Sequence, residues 1–248
     1  MNEYKSFFDM VKKWTVNDYL TQGLKAEVIL DMLLSEFIEE MVAAELDEDI
    51  DEVKLLAKEF PVRTTDKNLR NAKVDYLVQV GNKIYLTELK SSNDSLKDKQ
   101  EKNMQNAVNK KAGDLWDFFR QVVKSKSRTG VAGRKYARTL TRLREKLSRS
   151  KDGFIPESLR KAELDILYIC LHETPQSIKF FRNGRKHFYL ENLQTDDKFI
   201  SNLETRGKMA TWNKLNEILN AVLEATFKFE GGKTKFIETK TFTENNDK

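Results

Sequence analysis

A chain of 248 residues with 39% hydrophobic content can build one full core, and its single cysteine excludes an internal disulfide, a four-cysteine zinc site and a cysteine-ligated cluster. The charged fraction is 33% and the mean hydropathy −0.64, but no apolar run approaches the roughly 18 residues of a membrane span. Residues 1–13 lack the apolar core of a signal peptide, so a cytoplasmic protein with no membrane partner is expected.

Residues 23–46 read as a helix because Leu30, Leu34, Phe37 and Met41 recur at three- and four-residue steps. Glu27 lies on that stripe, turned toward the interior edge of the helix. Residues 47–59 form an acidic, partly helical connector ending at Pro61. Two strands come next, over 73–80 and 83–91, joined by a two-residue turn at Gly81-Asn82. With that loop Val80 faces Lys83, cross-strand partners have numbers summing to 163, and Asp75 stands directly opposite Glu88. A one-residue slip would send the two acids to opposite faces. Lys90 shares the face of Glu88, and so do Leu77, Ile84 and Leu86, which argues for partial burial of the site residues.

A second helix is expected over 96–123, carrying Met104, Val108, Leu115, Trp116 and Phe119; Trp116, Phe118 and Phe119 read as core and not as base-stacking platforms. The net charge of +5 is segregated just beyond it: Lys124 to Lys151 holds eleven basic residues and one acid, Glu145, so the remainder is net acidic. Within this block a helix over about 133–148 puts Tyr136, Leu140, Leu143 and Leu147 on one stripe and Arg134, Arg138, Arg142 and Lys146 on another. Glycines on either side mark residues 124–153 as a basic helical insertion or flap, and Arg134, Arg138, Arg142 and Lys146 as nucleic-acid contacts. Residues 164–171 read as a buried strand containing Cys170, a core thiol. Segments 178–181 and 186–190 flank Asn183-Gly184, a strong hairpin signal, followed by a helix over 212–226, a Gly231-Gly232 hairpin and a flexible tail, 241–248. His172 and His187 stand in no metal-ligand spacing. This order gives an α/β fold with a mixed central sheet flanked by helices, in one domain spanning 1–248.

Two like charges held face to face on a hairpin repel unless a cation or a proton lies between them. Asp75 and Glu88 offer oxygens suited to Mg²⁺ or Mn²⁺, the backbone carbonyl of Leu89 offers another, and Glu27 could add a carboxylate if the first helix packs nearby. A metal so held would activate water against a phosphodiester, with Lys90 positioning that water or stabilising the anionic transition state. Other Glu-x-Lys triplets, at Glu3, Glu52 and Glu238, have no register-matched aspartate.

Asp75, twelve intervening residues, then Glu88-Leu89-Lys90 on a strand, preceded by a helix with Glu27, resembles the PD-(D/E)XK nuclease superfamily. The resemblance covers residues 23–105, with 164–171 as a further core strand. It implies a restriction-endonuclease-like sheet, Asp75 and Glu88 as ligands of a divalent metal, and Lys90 assisting phosphodiester hydrolysis, more readily of DNA than RNA. Val74 stands where the family name has proline, and Gln100 is followed four positions later by Met104, not the tyrosine of one subgroup, so no role is carried over to Gln100. Two other readings stay open: a non-catalytic nucleic-acid-binding protein on the same fold, and a protein-interaction module, including a homo-oligomer, in which residues 36–59 and the basic helix recognise proteins.

Overall fold

The computed structural model describes residues 31, 33–63, 71–90, 98–126, 130–147, 155–171, 173, 177, 180–181 and 185–229. Five strands form one open sheet in the order β1-β2-β3-β4-β5: β1 is Val53–Arg63, β2 Asn71–Val80, β3 Lys83–Lys90, β4 Glu163–Cys170 and β5 Lys186–Tyr189. The first three run antiparallel; β3, β4 and β5 run parallel, as the long helical crossover between β3 and β4 requires. The sheet is therefore mixed, and helices cover both faces.

One face packs on α1 (Ile38–Glu45), α7 (Asp197–Thr205) and α8 (Met209–Phe229), where Trp212 meets Phe37 and Phe199 edge to face at 5.2 and 4.7 Å. The opposite face packs on α2 (Asp98–Val108), α3 (Ala112–Lys126), the basic helix α4 (Gly130–Lys146) and the short α5 (Glu157–Arg160), around Phe60, Trp116 and Phe119. The last short helix, α6, is Leu190–Leu193. Period-two burial along β2 and β3 feeds both cores: Tyr76, Val78 and Tyr85 on the first, Leu77, Ile84 and Leu86 on the second. Among the described residues no helix is long and apolar enough to cross a membrane.

Four local readings need correction. The acidic connector is a strand from Val53 onward: only Ile50–Glu52 is helical, as one 3₁₀ turn, and beyond it Val53, Leu56, Phe60 and Val62 bury themselves in β1. A bulge between Leu55 and Ala57 breaks the alternation that would have signalled the strand. The first helix is interrupted at residues 35–37, where Phe37 turns under Trp212 and Lys208 donates to the freed Glu36 carbonyl at 2.6 Å. The second helix is two helices, closed after Val108 by bonds from Asn109 and Lys110 to the Gln105 and Ala107 oxygens. Among the described residues the expected hairpin at 178–190 does not form: Phe180 and Phe181 are helical, and β5 joins β4 in parallel. Asn183-Gly184, the Gly231-Gly232 hairpin and the 241–248 tail lie outside the described residues, as does His172. The helix expected over 212–226 runs from Met209 to Phe229.

Candidate metal and nucleic-acid site

The Gly81-Asn82 turn has the register its length dictates. Val80 pairs Lys83, Gln79 pairs Ile84, Val78 pairs Tyr85, Leu77 pairs Leu86 and Tyr76 pairs Thr87. Gly81 takes φ +52°, the left-handed conformation that a glycine-first two-residue loop needs, and its N–H donates to the Glu52 carbonyl at 3.2 Å. One step past Tyr76 and Thr87 come Asp75 and Glu88, and their side chains hydrogen-bond each other. The Leu89 N–H donates to Asp75 Oδ2 at 2.8 Å, so one aspartate oxygen serves as an extra rung between the two strands.

Glu88 is 1% exposed and Lys90 5%, with Lys90 Nζ donating to Glu88 Oε2 at 3.1 Å. The burial follows from Leu86, Ile84 and Leu77 on the same stretch of sheet, all fully covered by α2 and α3. An exposed Glu-Lys pair on a hairpin surface is therefore not what these residues form. The Glu88 carboxyl is pushed up to about 8, chiefly by burial, with the Lys90 charge pulling against it and the Asp75 charge adding to it. The raised Glu88 carboxyl favours a proton over a bare charge beside Asp75. A divalent ion is the other species that can hold two such oxygens together, and Mg²⁺ typically takes one or two protein carboxylates and completes its shell with water and phosphate oxygens. Asp75 and Glu88 would supply the carboxylate share of such a shell, with water and phosphate left to complete it. Among the described residues no group of three or more His, Cys, Asp or Glu is placed to share one, and Glu27 lies outside the described residues.

Several residues near this pair carried no clear signal in the sequence. Tyr168 on β4 is the register partner of Glu88; it is 1% exposed, wedged against Phe180 and Phe181 at 5.8 and 5.2 Å, and its hydroxyl has no hydrogen-bond partner among the described residues. Burial, Glu101 and Glu88 all keep its phenol protonated. Glu101 on α2 makes a nearly buried ion pair with Arg185, whose guanidinium lies 4.3 Å from the Phe180 ring centre. Glu59 on β1 lies between the pairs Lys58–Tyr76 and Phe60–Val74, hence opposite Asp75, with φ +50° and ion pairs to Lys73 and Lys135. A row of polar side chains thus crosses the sheet: Glu59, Asp75, Glu88, Tyr168 and His187. Only the strand register reveals that row, and β1 and β5 were not legible as its outer members.

His187 stacks on Phe181 at 4.1 Å, and its Nδ1 hydrogen-bonds the Arg185 carbonyl at 2.9 Å, which is structural work. Cys170, the register partner of Lys90, is buried with its thiol pushed up to about 12, an inert core residue.

The basic helix α4 buries Tyr136 and Leu143 against the second core and exposes Arg134, Arg138 and Arg142, the division its two stripes imply. It lies against the edge strand β1, across a cleft of about 920 Å³. Arg134, Arg138 and Arg142 line the cleft and, among the described residues, have no ion-pair partner. Lys146 differs from them: its ammonium donates to the Leu55 carbonyl at the β1 bulge, so it fastens the helix to the sheet.

No family model, no curated protein and no solved structure matches the chain.

Proposed function

We propose that the chain is a Mg²⁺- or Mn²⁺-dependent nuclease that hydrolyses phosphodiester bonds, DNA before RNA, on a sheet of the restriction-endonuclease-like, PD-(D/E)XK kind. The observation that carries this reading is the buried contact of Asp75 with Glu88, with Lys90 bonded to Glu88 at 3.1 Å. A buried acid and lysine beside a half-buried second acid destabilise a fold unless a ligand uses them.

Asp75 and Glu88 would hold the ion, which when bound supplies Lewis-acid charge at the scissile phosphate. Asp75 is fixed for that work by the Leu89 N–H, and Glu88 by Lys90. Lys90 would have two tasks: to hold the Glu88 carboxyl, and to place its positive charge beside the attacking water and the non-bridging oxygens. Tyr168, the register partner of Glu88 on β4, backs that carboxyl from the sheet side, while Asp75 stays half-exposed. Phosphates flanking the scissile bond fall to Arg134, Arg138 and Arg142.

The test is incubation of purified protein with single-stranded, double-stranded and branched DNA in Mg²⁺ or Mn²⁺. Wild type should cleave at least one, and Lys90→Ala should cleave roughly 10²–10³-fold more slowly, the usual cost of removing one transition-state donor. Equal cleavage by both proteins, or none by either, overturns the reading. Salt-sensitive binding with no cleavage and no metal at Asp75 and Glu88 would identify a non-catalytic nucleic-acid-binding protein instead.

A further inference from the structure

The cleft beside β1 has two unlike walls. On one stand the exposed Arg134, Arg138 and Arg142 of α4, with a single acid, Glu145, beyond them; on the other stand Asp31, Ser35 and Glu36, from the chain leading into α1. Leu55, Leu56, Ala57 and Lys58 of β1 form the floor. Asp31 and Lys135 act on each other electrostatically across the opening, and Asp31 also pairs with Lys58 at 3.8 Å. Glu36 is exposed and, like the three arginines, has no ion-pair partner among the described residues. The cleft ends at Glu59, one strand away from Asp75 in the register of β1 and β2.

A duplex presents phosphates on both sides, and its second backbone would run against Asp31 and Glu36. A single strand has one line of phosphates for the arginine wall, and its bases can turn toward the apolar floor and the acidic wall, where carboxylates accept from base amino groups. The volume of about 920 Å³ lies at the upper end of the roughly 300–1,000 Å³ of small-molecule pockets, room for a few nucleotides of one strand.

We propose that this cleft binds one strand of nucleic acid, phosphates on Arg134, Arg138 and Arg142, and leads it past Glu59 to Asp75 and Glu88, so that the substrate is single-stranded or locally unpaired. The inference rests on the nuclease reading for its polymer. It goes further in excluding continuous duplex by the acidic wall, and in removing Lys146 from the phosphate contacts.

Fluorescence anisotropy with a labelled single-stranded oligonucleotide and the matching duplex, in EDTA so that no cleavage intervenes, tests it. Wild type should bind the single strand at least about tenfold more tightly than duplex. Arg138→Gln should weaken single-strand binding and reduce the slope of log K against log salt by about 0.7, the value for one lost contact to a single strand. Arg134→Gln should do the same, guarding against one misfolded variant, and Glu36→Gln should raise duplex affinity and narrow the discrimination. Equal or tighter duplex binding, or a salt slope unmoved by both arginine substitutions, overturns the proposal. The two readings fail separately. Cleavage in Mg²⁺ without single-strand preference leaves the nuclease and removes the cleft assignment; single-strand binding without cleavage does the reverse.

Discussion

Glu88 keeps a proton in the fold that the unfolded chain would release, which sets the direction of its pH effect. Its carboxyl rises from 4.5 to about 8, so between those values the native state binds more protons than the unfolded one, and stability falls as pH climbs through the window. The contribution is fully present below 4.5 and is lost above about 8. Glu45 is also pushed up, to about 7, by burial and Asp196, but it stands at the surface, where solvent screens most of the effect. In metal-free buffer, Tm should therefore drop between pH 5 and pH 8, by about 2–4 °C for each kcal/mol lost in a chain of this size. Glu88→Gln, a neutral mimic of the protonated acid, should flatten that slope and melt above wild type at pH 8. Thermal melts of both proteins across the range decide it, and an unchanged slope in the variant would place the proton elsewhere. These residues were legible beforehand because a two-residue loop leaves no freedom in register, and the sum of 163 holds at all five observed pairs. Tyr168, Glu101 and Arg185 were not legible, because only the parallel pairing of β3 with β4 brings Tyr168 beside Glu88, and only the packing of α2 brings Glu101 to Arg185 and to Tyr168.

At the scale of elements, the misread strand is the instructive case. Residues 47–52 are acidic enough to mask the strand that begins at Val53, and the bulge at Leu55 spoils the period-two pattern of β1. An edge strand with a bulge needs partners for its displaced backbone groups, and two helices supply them. The Leu55 N–H donates to Glu39 Oε1 at 2.8 Å from α1, and the Leu55 carbonyl accepts from Lys146 of α4. Part of the acidic stretch is thereby committed internally: Glu39 to the bulge, and Glu40, fully buried, to Lys208 at 2.7 Å. That weakens the idea of residues 36–59 as a free acidic surface for partner proteins. Glu39→Ala should destabilise the fold by about 1–2 kcal/mol, the cost of a charged acceptor lost from a half-buried N–H, while Glu48→Ala, at an exposed position, should cost almost nothing. Urea unfolding of the two variants is the comparison. Equal midpoints would mean that water replaces Glu39 without loss. By contrast, the basic helix was read correctly because its apolar and cationic stripes follow one uninterrupted period.

Across the whole molecule, the change from antiparallel to parallel pairing at β3 concentrates the chemistry. Lys90 and Cys170 end neighbouring parallel strands, and Glu88 stands two residues before the end of β3. The carboxyl ends of parallel strands are where open α/β sheets receive ligands. The antiparallel strands bring Asp75 and Glu59 to the same row from the other side, and the basic helix sets its cations along the edge of β1. Mixed-sheet architecture could be inferred from the order of segments, but the antiparallel-to-parallel switch could not, since the Asn183-Gly184 signal pointed to a hairpin where β5 instead joins β4. An ion held by Asp75 and Glu88 would compete with the proton that the raised Glu88 carboxyl favours, and anything that binds only the native state stabilises it by mass action. At about 100 times its Kd, Mg²⁺ or Mn²⁺ should add about 2.7 kcal/mol, which in a chain of this size raises Tm by roughly 5–10 °C. Calorimetric titration at pH 7 in buffers of different ionisation enthalpy should show proton release on binding. Asp75→Asn should lose both the Tm increase and the proton release, whereas Arg138→Gln, at the cleft wall, should retain them. A Tm increase of the same size in the Asp75 variant would mean that the ion binds elsewhere on the protein.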